Sequence, residues 1–391
     1  MMNVSPWQSV TLPVSQLALS AVLKCGQSFR WTVHTVDNDD SDTDDSPSPG
    51  PEYRLCLRDR VICLRQSPTT LFYKDVRPES QTTPSSSSSS SLAWLNDYFQ
   101  LHIDLVALYS TWSTRDPVFA AIQSRFPGIR ILRQDPWETL VSFICSSNNN
   151  ISRITNMVHA LCRHYSPALL QLPDDPHPYH PFPPPAALTA SSVPDTLRAL
   201  GFGYRANFIH RTAKLLVDTH GPGPAPEAFL HTLRTADTDH ARVELLKFIG
   251  VGRKVADCVL LMSLDKHHVV PVDTHVHQIA VKHYGLKSAA TTANKINMTP
   301  KLYDELSSHL FSLWGNHAGW AHSVLFTADL RSFSSYGLKS PTSPSASPAK
   351  RKRNSPKSVK DEVVSLGSLP DMATSLDVLS LAERVKRRRR A

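Results

Sequence analysis

Two closely spaced glycines and a lysine stand out in Phe248-Ile249-Gly250-Val251-Gly252-Arg253-Lys254-Val255-Ala256-Asp257-Cys258. Nineteen positions after Lys254, Asp273 follows Val270-Pro271-Val272 and precedes Thr274-His275. Gly250 and Gly252 allow a tight turn and close approach to a partner. A helix starting there exposes unpaired N–H groups, a ready phosphate site. Lys254 then falls in the first turn, at the positive end of the helix dipole, where a structural cation is disfavoured. Partial burial acts in the same direction, so the spacing predicts a neutral amine, a nucleophile able to form a Schiff base. A lysine that only contacts phosphate is the alternative. Asp273 reads as the N-cap of the next helix, and its carboxylate could also support cationic charge developing on a sugar. Cys258, four residues after Lys254, shares its helix face.

These residues need elements to hold them. Asp116-Pro117 and Asp135-Pro136-Trp137-Glu138 read as cap-then-proline helix starts, the second with Glu138 closing a capping box. Ser146-Ser147-Asn148-Asn149-Asn150 breaks that helix, and another is predicted over 151–164. Helical periodicity resumes over 197–217, interrupted at Gly201-Phe202-Gly203. Residues 302–330 close the helical part. Before it, residues 1–110 alternate as half-buried strands do. In that region Tyr53–Leu57 and Val61–Leu64 flank a turn, which predicts a hairpin. The expected class is α+β. A strand-rich domain spans 1–110, with loop inserts at 37–51 and 79–91; an all-helical domain spans 111–333; a disordered basic tail spans 334–391. Residues 166–194, rich in proline, read as an irregular surface excursion.

Bulk composition narrows the class. The chain has 391 residues, 41% of them hydrophobic, enough for two domains with a core. No apolar run has membrane-spanning length, so no membrane partner is expected. The N-terminus lacks the pattern of a secretory signal. Six cysteines, none in a C-x-x-C pair, suggest reduced thiols without a metal site. Residues 334–391 carry 13 Lys/Arg against 5 Asp/Glu, which accounts for the whole net charge of +8. Lys350–Arg353 and Lys386–Arg390 within that tail predict a nuclear-import address.

The central stretch resembles the helix-hairpin-helix-Gly/Pro-Asp DNA glycosylases, and more narrowly the eukaryotic 8-oxoguanine DNA glycosylases. Supporting matches are Gly26-Gln27-Ser28-Phe29-Arg30-Trp31, residues 142–151, Leu200-Gly201-Phe202-Gly203-Tyr204-Arg205-Ala206 and Ala318-Gly319-Trp320-Ala321. They run in family order from about residue 15 to 331. The resemblance implies a TATA-binding-protein-like antiparallel sheet ahead of the helical domain. It implies a monomer without cofactor, acting on duplex DNA with oxidised guanine opposite cytosine. The target base is flipped out because its anomeric carbon is unreachable in the stack. Lys254 would then attack C1′ and Asp273 would support the oxocarbenium-like charge. The Schiff base would permit β-elimination at the abasic site.

By the same resemblance, the Gly26 carbonyl accepts from the N7–H that oxidation creates. Phe326 and Cys258 sandwich the base in a pocket that includes Pro271 and His322. Asn148, Arg153 and Arg205 read the opposite cytosine, with Tyr204 as a wedge. Gly250, Val251, Gly252 and His275 contact the DNA backbone. Without the resemblance, Phe326 reads as plain core and His275 as structural. Two positions depart from the family pattern. Ile249 replaces the proline before the hairpin. His322 stands where a glutamine usually reads the base edge, which predicts that cleavage survives with altered pH dependence or weaker base selectivity. A non-catalytic hairpin protein would not need Lys254 and Asp273. The endonuclease III and adenine-glycosylase branches usually carry four cysteines after the catalytic region, where this chain has none. Alkylpurine glycosylases lack the lysine.

Overall fold

The computed structural model describes residues 2–35, 50–79, 90–286 and 298–338. Most of each expected insert, and the tail beyond 338, lie outside the described residues. Six strands form one antiparallel sheet: β1 Met2–Val4, β2 Gln8–Thr11, β3 Thr32–Thr35, β4 Pro51–Cys56, β5 Val61–Gln66 and β6 Thr70–Pro78. The order is β1-β6-β5-β4-β3, with β2 also on β6. The expected hairpin is β4–β5, in register Cys56↔Val61. Its turn is closed by the Leu57 N–H bonding the Arg60 carbonyl at 2.7 Å.

Helices follow: α1 Leu19–Val22, α2 Ser91–Tyr98, α3 Leu105–Arg115, α4 Pro117–Ile122, α5 Pro136–Ile144, α6 Ile151–Tyr165, α7 Val193–Ala199 and α8 Arg205–His220. Then come α9 Ala225–Thr232, α10 Thr238–Leu246, α11 Arg253–Ser263, α12 Thr274–Tyr284, α13 Pro300–Trp314 and α14 Ala318–Asp329. Asp116 and Asp135 cap α4 and α5 with proline at N1, as their sequences predict. The capping box is only half formed. Asp135 accepts from the Glu138 N–H, but the Glu138 carboxylate turns to the Arg30 guanidinium at 2.6 and 2.8 Å. A buried arginine offers a charge-assisted bidentate pair, which outcompetes a single bond to an N-cap N–H.

That ion pair belongs to the seam joining sheet and helices. The side chain of Gln27 donates to the Arg130 carbonyl and accepts from the Leu132 N–H, both at 3.0 Å. Its own carbonyl accepts from Gln134 at 2.8 Å. Cys25 and Phe29, from the loop between α1 and β3, bury themselves in the same apolar core as α5, α6, α8, α11 and α14. The family motif around Gly26 is therefore a clamp. It fixes one strand-side loop against helices that begin a hundred residues later.

The proline-rich excursion is irregular but not free. Leu170 and Tyr179 form an isolated bridge, and both pack with Cys56, Val61 and Val76 from the sheet. Asp174 pairs with the buried Arg54. At the other end, composition assigns residues 334–338 to the tail. They are held to the fold: Tyr336 stacks on Phe126 at 5.5 Å, and Arg125 donates to the Ser334 and Tyr336 carbonyls.

Candidate active site

The hairpin joins α10 to α11. Gly250 has φ +84°, and a Cβ there would stand 2.5 Å from Phe208, so glycine is required both conformationally and sterically. Ile249 occupies the usual proline place, and its carbonyl accepts from Thr212 at 3.2 Å. Val251 is buried, which anchors the turn. Gly252 is the N-cap of α11 and offers no side-chain cap, so the first N–H groups of that helix keep no side-chain acceptor.

Lys254 is the second residue of α11 and reaches a narrow pocket of about 50 Å³. Gly26, Cys258, Pro271, Asp273, His322 and Phe326 line it with Lys254, so every residue expected at the base and the sugar converges there. Gly26, Phe143, Lys254, Asp273 and Phe326 also line an adjoining cleft of about 1100 Å³, together with His275. Sequence alone does not mark Phe143 and Ser146 as site residues. The Lys254 ammonium sits 5.1 Å over the Phe143 ring and 3.4 Å from the Ser146 hydroxyl. Only their place at the end of α5, across the pocket from α11, gives them this role.

Asp273 does cap α12: its Oδ1 accepts from the His275 and Val276 N–H groups at 3.0 Å. The charge state of Lys254 differs from the expectation. Burial opposes the ammonium, but the Cys258 sulfur and the Asp273 carboxylate outweigh it and hold the lysine above its ordinary range. A dipole argument from sequence position leaves out both neighbours: Cys258 lies one turn along the same helix, and Asp273 arrives through the fold. Burial pushes the Cys258 thiol up to about 11. His322 is driven the other way. Burial, with the nearby Lys254 ammonium, lowers its imidazole to about 4 against the pull of Asp273.

Asn148, Arg153, Tyr204 and Arg205 form a second cluster beside the first, linked to it through the Ser146–Ser147 step. Asn148 adopts a left-handed φ of +48°, which asparagine tolerates. Arg205 is buried, and it donates to the Ser147 and Asn148 carbonyls. Tyr204 is half exposed, stacks on the Arg205 guanidinium at 4.5 Å and donates to the Ser147 carbonyl at 3.1 Å. Arg153 is exposed and donates to the Gly201 carbonyl at 3.2 Å. His275 is exposed, 3.6 Å from the Asp329 carboxylate. Among the described residues no group of three His, Cys, Asp or Glu is placed to hold a metal ion. All six cysteines are free. A separate cavity of about 250 Å³ lies between Arg30, Trp94, Arg133 and Arg234. Its Arg30 and Arg133 are already paired with Glu138 and Asp97.

Family models match twice. One, the N-terminal domain of 8-oxoguanine DNA glycosylase, covers residues 9–140. The other, the HhH-GPD superfamily of base excision DNA repair proteins, covers 141–301. The N-glycosylase/DNA lyase of Saccharomyces cerevisiae is 37% identical over 331 residues, covering 81% of this chain and 84% of that one. The chain belongs to the 8-oxoguanine DNA glycosylase/lyase family. Its activity class is accordingly DNA glycosylase with lyase activity. The Arabidopsis thaliana N-glycosylase/DNA lyase OGG1 is 36% identical over 325 residues, covering 83% of this chain and 80% of that one. Among solved structures, MBOgg1 in complex with a low-affinity DNA ligand superposes with a TM-score of 0.64 at 26% identity, over 84% of this chain and 97% of that one. The apo 8-oxoguanine glycosylase/lyase of Clostridium acetobutylicum shares the fold, with a TM-score of 0.64, 23% identity, and 84% and 98% of the two chains covered.

Two predictions arise directly from this site. Gly26 has φ +89°, and an added Cβ would meet Ile151 at 2.8 Å. Gly26→Ala is therefore expected to cost about 1–2 kcal/mol in left-handed strain. It also displaces a backbone that lines both pocket and cleft, so single-turnover base release should fall about tenfold or more. Unchanged rates would show that the Gly26 backbone is not positioned against the base.

The second concerns acid. His159 and His267 are held at about 4, chiefly by burial, as His322 is. Their folded-state values lie below the unfolded value of about 6.5. The unfolded chain thus binds more protons than the folded chain between pH 6.5 and 4. Stability is complete above pH 6.5, falls through that window and levels off below about 4. The loss from His322 alone is on the order of 3 kcal/mol. Urea midpoints at pH 7.5, 6 and 4.5 should decline in that order, and a flat series would contradict it.

Proposed function

We propose that this chain binds duplex DNA, flips out 8-oxoguanine or a related oxidised purine such as formamidopyrimidine-guanine opposite cytosine, and excises it through a Lys254 Schiff base. The observation that carries this reading is the convergence of Lys254, Asp273, Gly26, Cys258, His322 and Phe326 on one pocket that opens into a cleft. A pocket of about 50 Å³ is far smaller than the roughly 300–1,000 Å³ usual for ligand sites. Base entry therefore goes with side-chain displacement, for which the partly exposed Phe326 is placed.

The deprotonated Lys254 amine attacks C1′, and the bond from C1′ to the base nitrogen breaks. The base leaves with the bonding pair and is protonated as it departs. Asp273, anchored by two helix N–H groups on one oxygen, lies where cationic charge develops on the sugar. Opening of the sugar ring leaves an imine at C1′. Loss of a proton from C2′ then expels the 3′ phosphate, the lyase step. In the resting site Lys254 carries a proton, which must leave before attack.

Oxidation at C8 turns N7 from acceptor to donor, a change that a backbone carbonyl at Gly26 would detect. An unmodified guanine would leave that acceptor unpaired at a cost of roughly 1–3 kcal/mol. Asn148, Arg153 and Arg205 supply the donors for an unpaired cytosine, and Tyr204 the wedge. Base release should be measured on duplexes carrying 8-oxoguanine opposite each of the four bases, with unmodified guanine as control. Release fastest opposite cytosine is expected. Equal release from all four pairings would contradict the role of that cluster, and no release of 8-oxoguanine would contradict the substrate.

A further inference from the structure

His322 is the one polar side chain of the pocket with nothing to do in the resting protein. It is 7% exposed, and both ring nitrogens are buried without a hydrogen-bond partner. The other polar groups of the lining are engaged. The Gln27 amide is spent on the Arg130 carbonyl and the Leu132 N–H. The Ser323 hydroxyl donates to the Trp320 carbonyl. Asp273 Oδ1 holds the start of α12. Phe326, one turn after His322 on α14, faces it with ring centroids 5.9 Å apart. A buried ring left unpaired in the empty pocket is accounted for when the ligand supplies its partner.

We infer that His322 reads the six-membered edge of the flipped base through a single hydrogen bond, so that the pocket tolerates loss of the 2-amino group of an oxidised guanine. The inference rests on the function proposed above. A neutral imidazole, the form that burial favours here, carries one donor and one acceptor. These point away from each other across the ring, so only one can meet a given base edge. A primary amide, by contrast, has an oxygen with two lone pairs and can accept from two adjacent donors at once, where the imidazole acceptor nitrogen has only one. On a guanine-type edge, N1–H and the 2-amino group are adjacent donors. The acceptor nitrogen of His322 satisfies one of them. With N1–H retained, that bond survives when the 2-amino group is removed.

The test compares single-turnover release of 8-oxoguanine and of 8-oxohypoxanthine, its analogue lacking the 2-amino group, each opposite cytosine. Wild type should release the two within about threefold of each other. His322→Gln should widen the preference for 8-oxoguanine to about tenfold, the size of one hydrogen bond. A wild-type preference already near tenfold overturns the inference, and that measurement needs no variant. An identical ratio in a folded His322→Gln protein overturns it too. If wild type releases neither base, the proposed function itself falls and this inference falls with it.

Discussion

Lys254→Gln is expected to lower base release by roughly 10⁴-fold or more, with stability and DNA affinity nearly unchanged. The lysine contributes little to packing. Its ammonium makes one long contact, 3.4 Å to the Ser146 hydroxyl, and lies over the Phe143 ring at 5.1 Å. A neutral glutamine of similar length loses the attraction to Asp273 but also escapes the desolvation that opposed the charge. The melting temperature should therefore stay within about 3 °C of wild type. The hairpin that would meet the backbone does not depend on the lysine. Gly250 holds its turn sterically, and the N–H groups that open α11 lack a side-chain cap in either protein. A variant that bound lesion DNA and still released base at a tenth of the normal rate would show that the nucleophile lies elsewhere.

Asp257→Ala should have the largest effect on stability, about 3–5 kcal/mol, and should impair catalysis as well. Asp257 is 1% exposed and receives Arg242 at 2.9 Å, Arg253 at 3.2 Å and the Tyr303 hydroxyl at 2.7 Å. The Tyr303 hydroxyl in turn accepts from the Val272 N–H at 3.0 Å. One carboxylate therefore ties α11, which carries Lys254, to α10, to α13 and to the residue before Asp273. Removing it leaves Arg242 and Arg253 only the exposed carboxylates of Asp239 and Asp304, opens a void and frees the backbone that aims Asp273. Denaturant unfolding gives the stability loss. At a temperature where the variant remains folded, single-turnover release should still be reduced more than tenfold. A stability loss under 1 kcal/mol would show that the pairs with Asp239 and Asp304 suffice for Arg242 and Arg253.

Asp257 also marks where sequence reading stops. The hairpin glycines, Lys254 and Asp273 are visible as types at a spacing, and the caps of α4, α5 and α12 are local patterns. Such features survive because they depend on residues within one or two helical turns. Asp257 looks like helix filler within its motif. Its partners Arg242 and Tyr303 come from other helices, and only packing brings them to one carboxylate. Glu138 shows the same limit: locally it completes a capping box, while Arg30, 108 residues away, claims it. The protonation of Lys254 is misjudged only partly for the same reason: Cys258, on its own helix face, is local, whereas Asp273 is not. Phe143 and Ser146 carry no signal of a site role beyond lying in the matched stretch 142–151. His322, conversely, is visible from sequence only as a departure from the family pattern. Its two unpartnered nitrogens become evident only once α14 is in place.

The central claim is that Lys254 forms a covalent imine with the sugar of the lesion, and borohydride reduction tests it most directly. Wild-type protein should be incubated with a duplex carrying 8-oxoguanine opposite cytosine, reduced, digested and mapped by mass spectrometry. The account predicts a DNA adduct on the peptide containing Lys254 and none when Lys254→Gln is treated in the same way. An adduct on another residue, or efficient trapping by the Lys254→Gln protein, would contradict it.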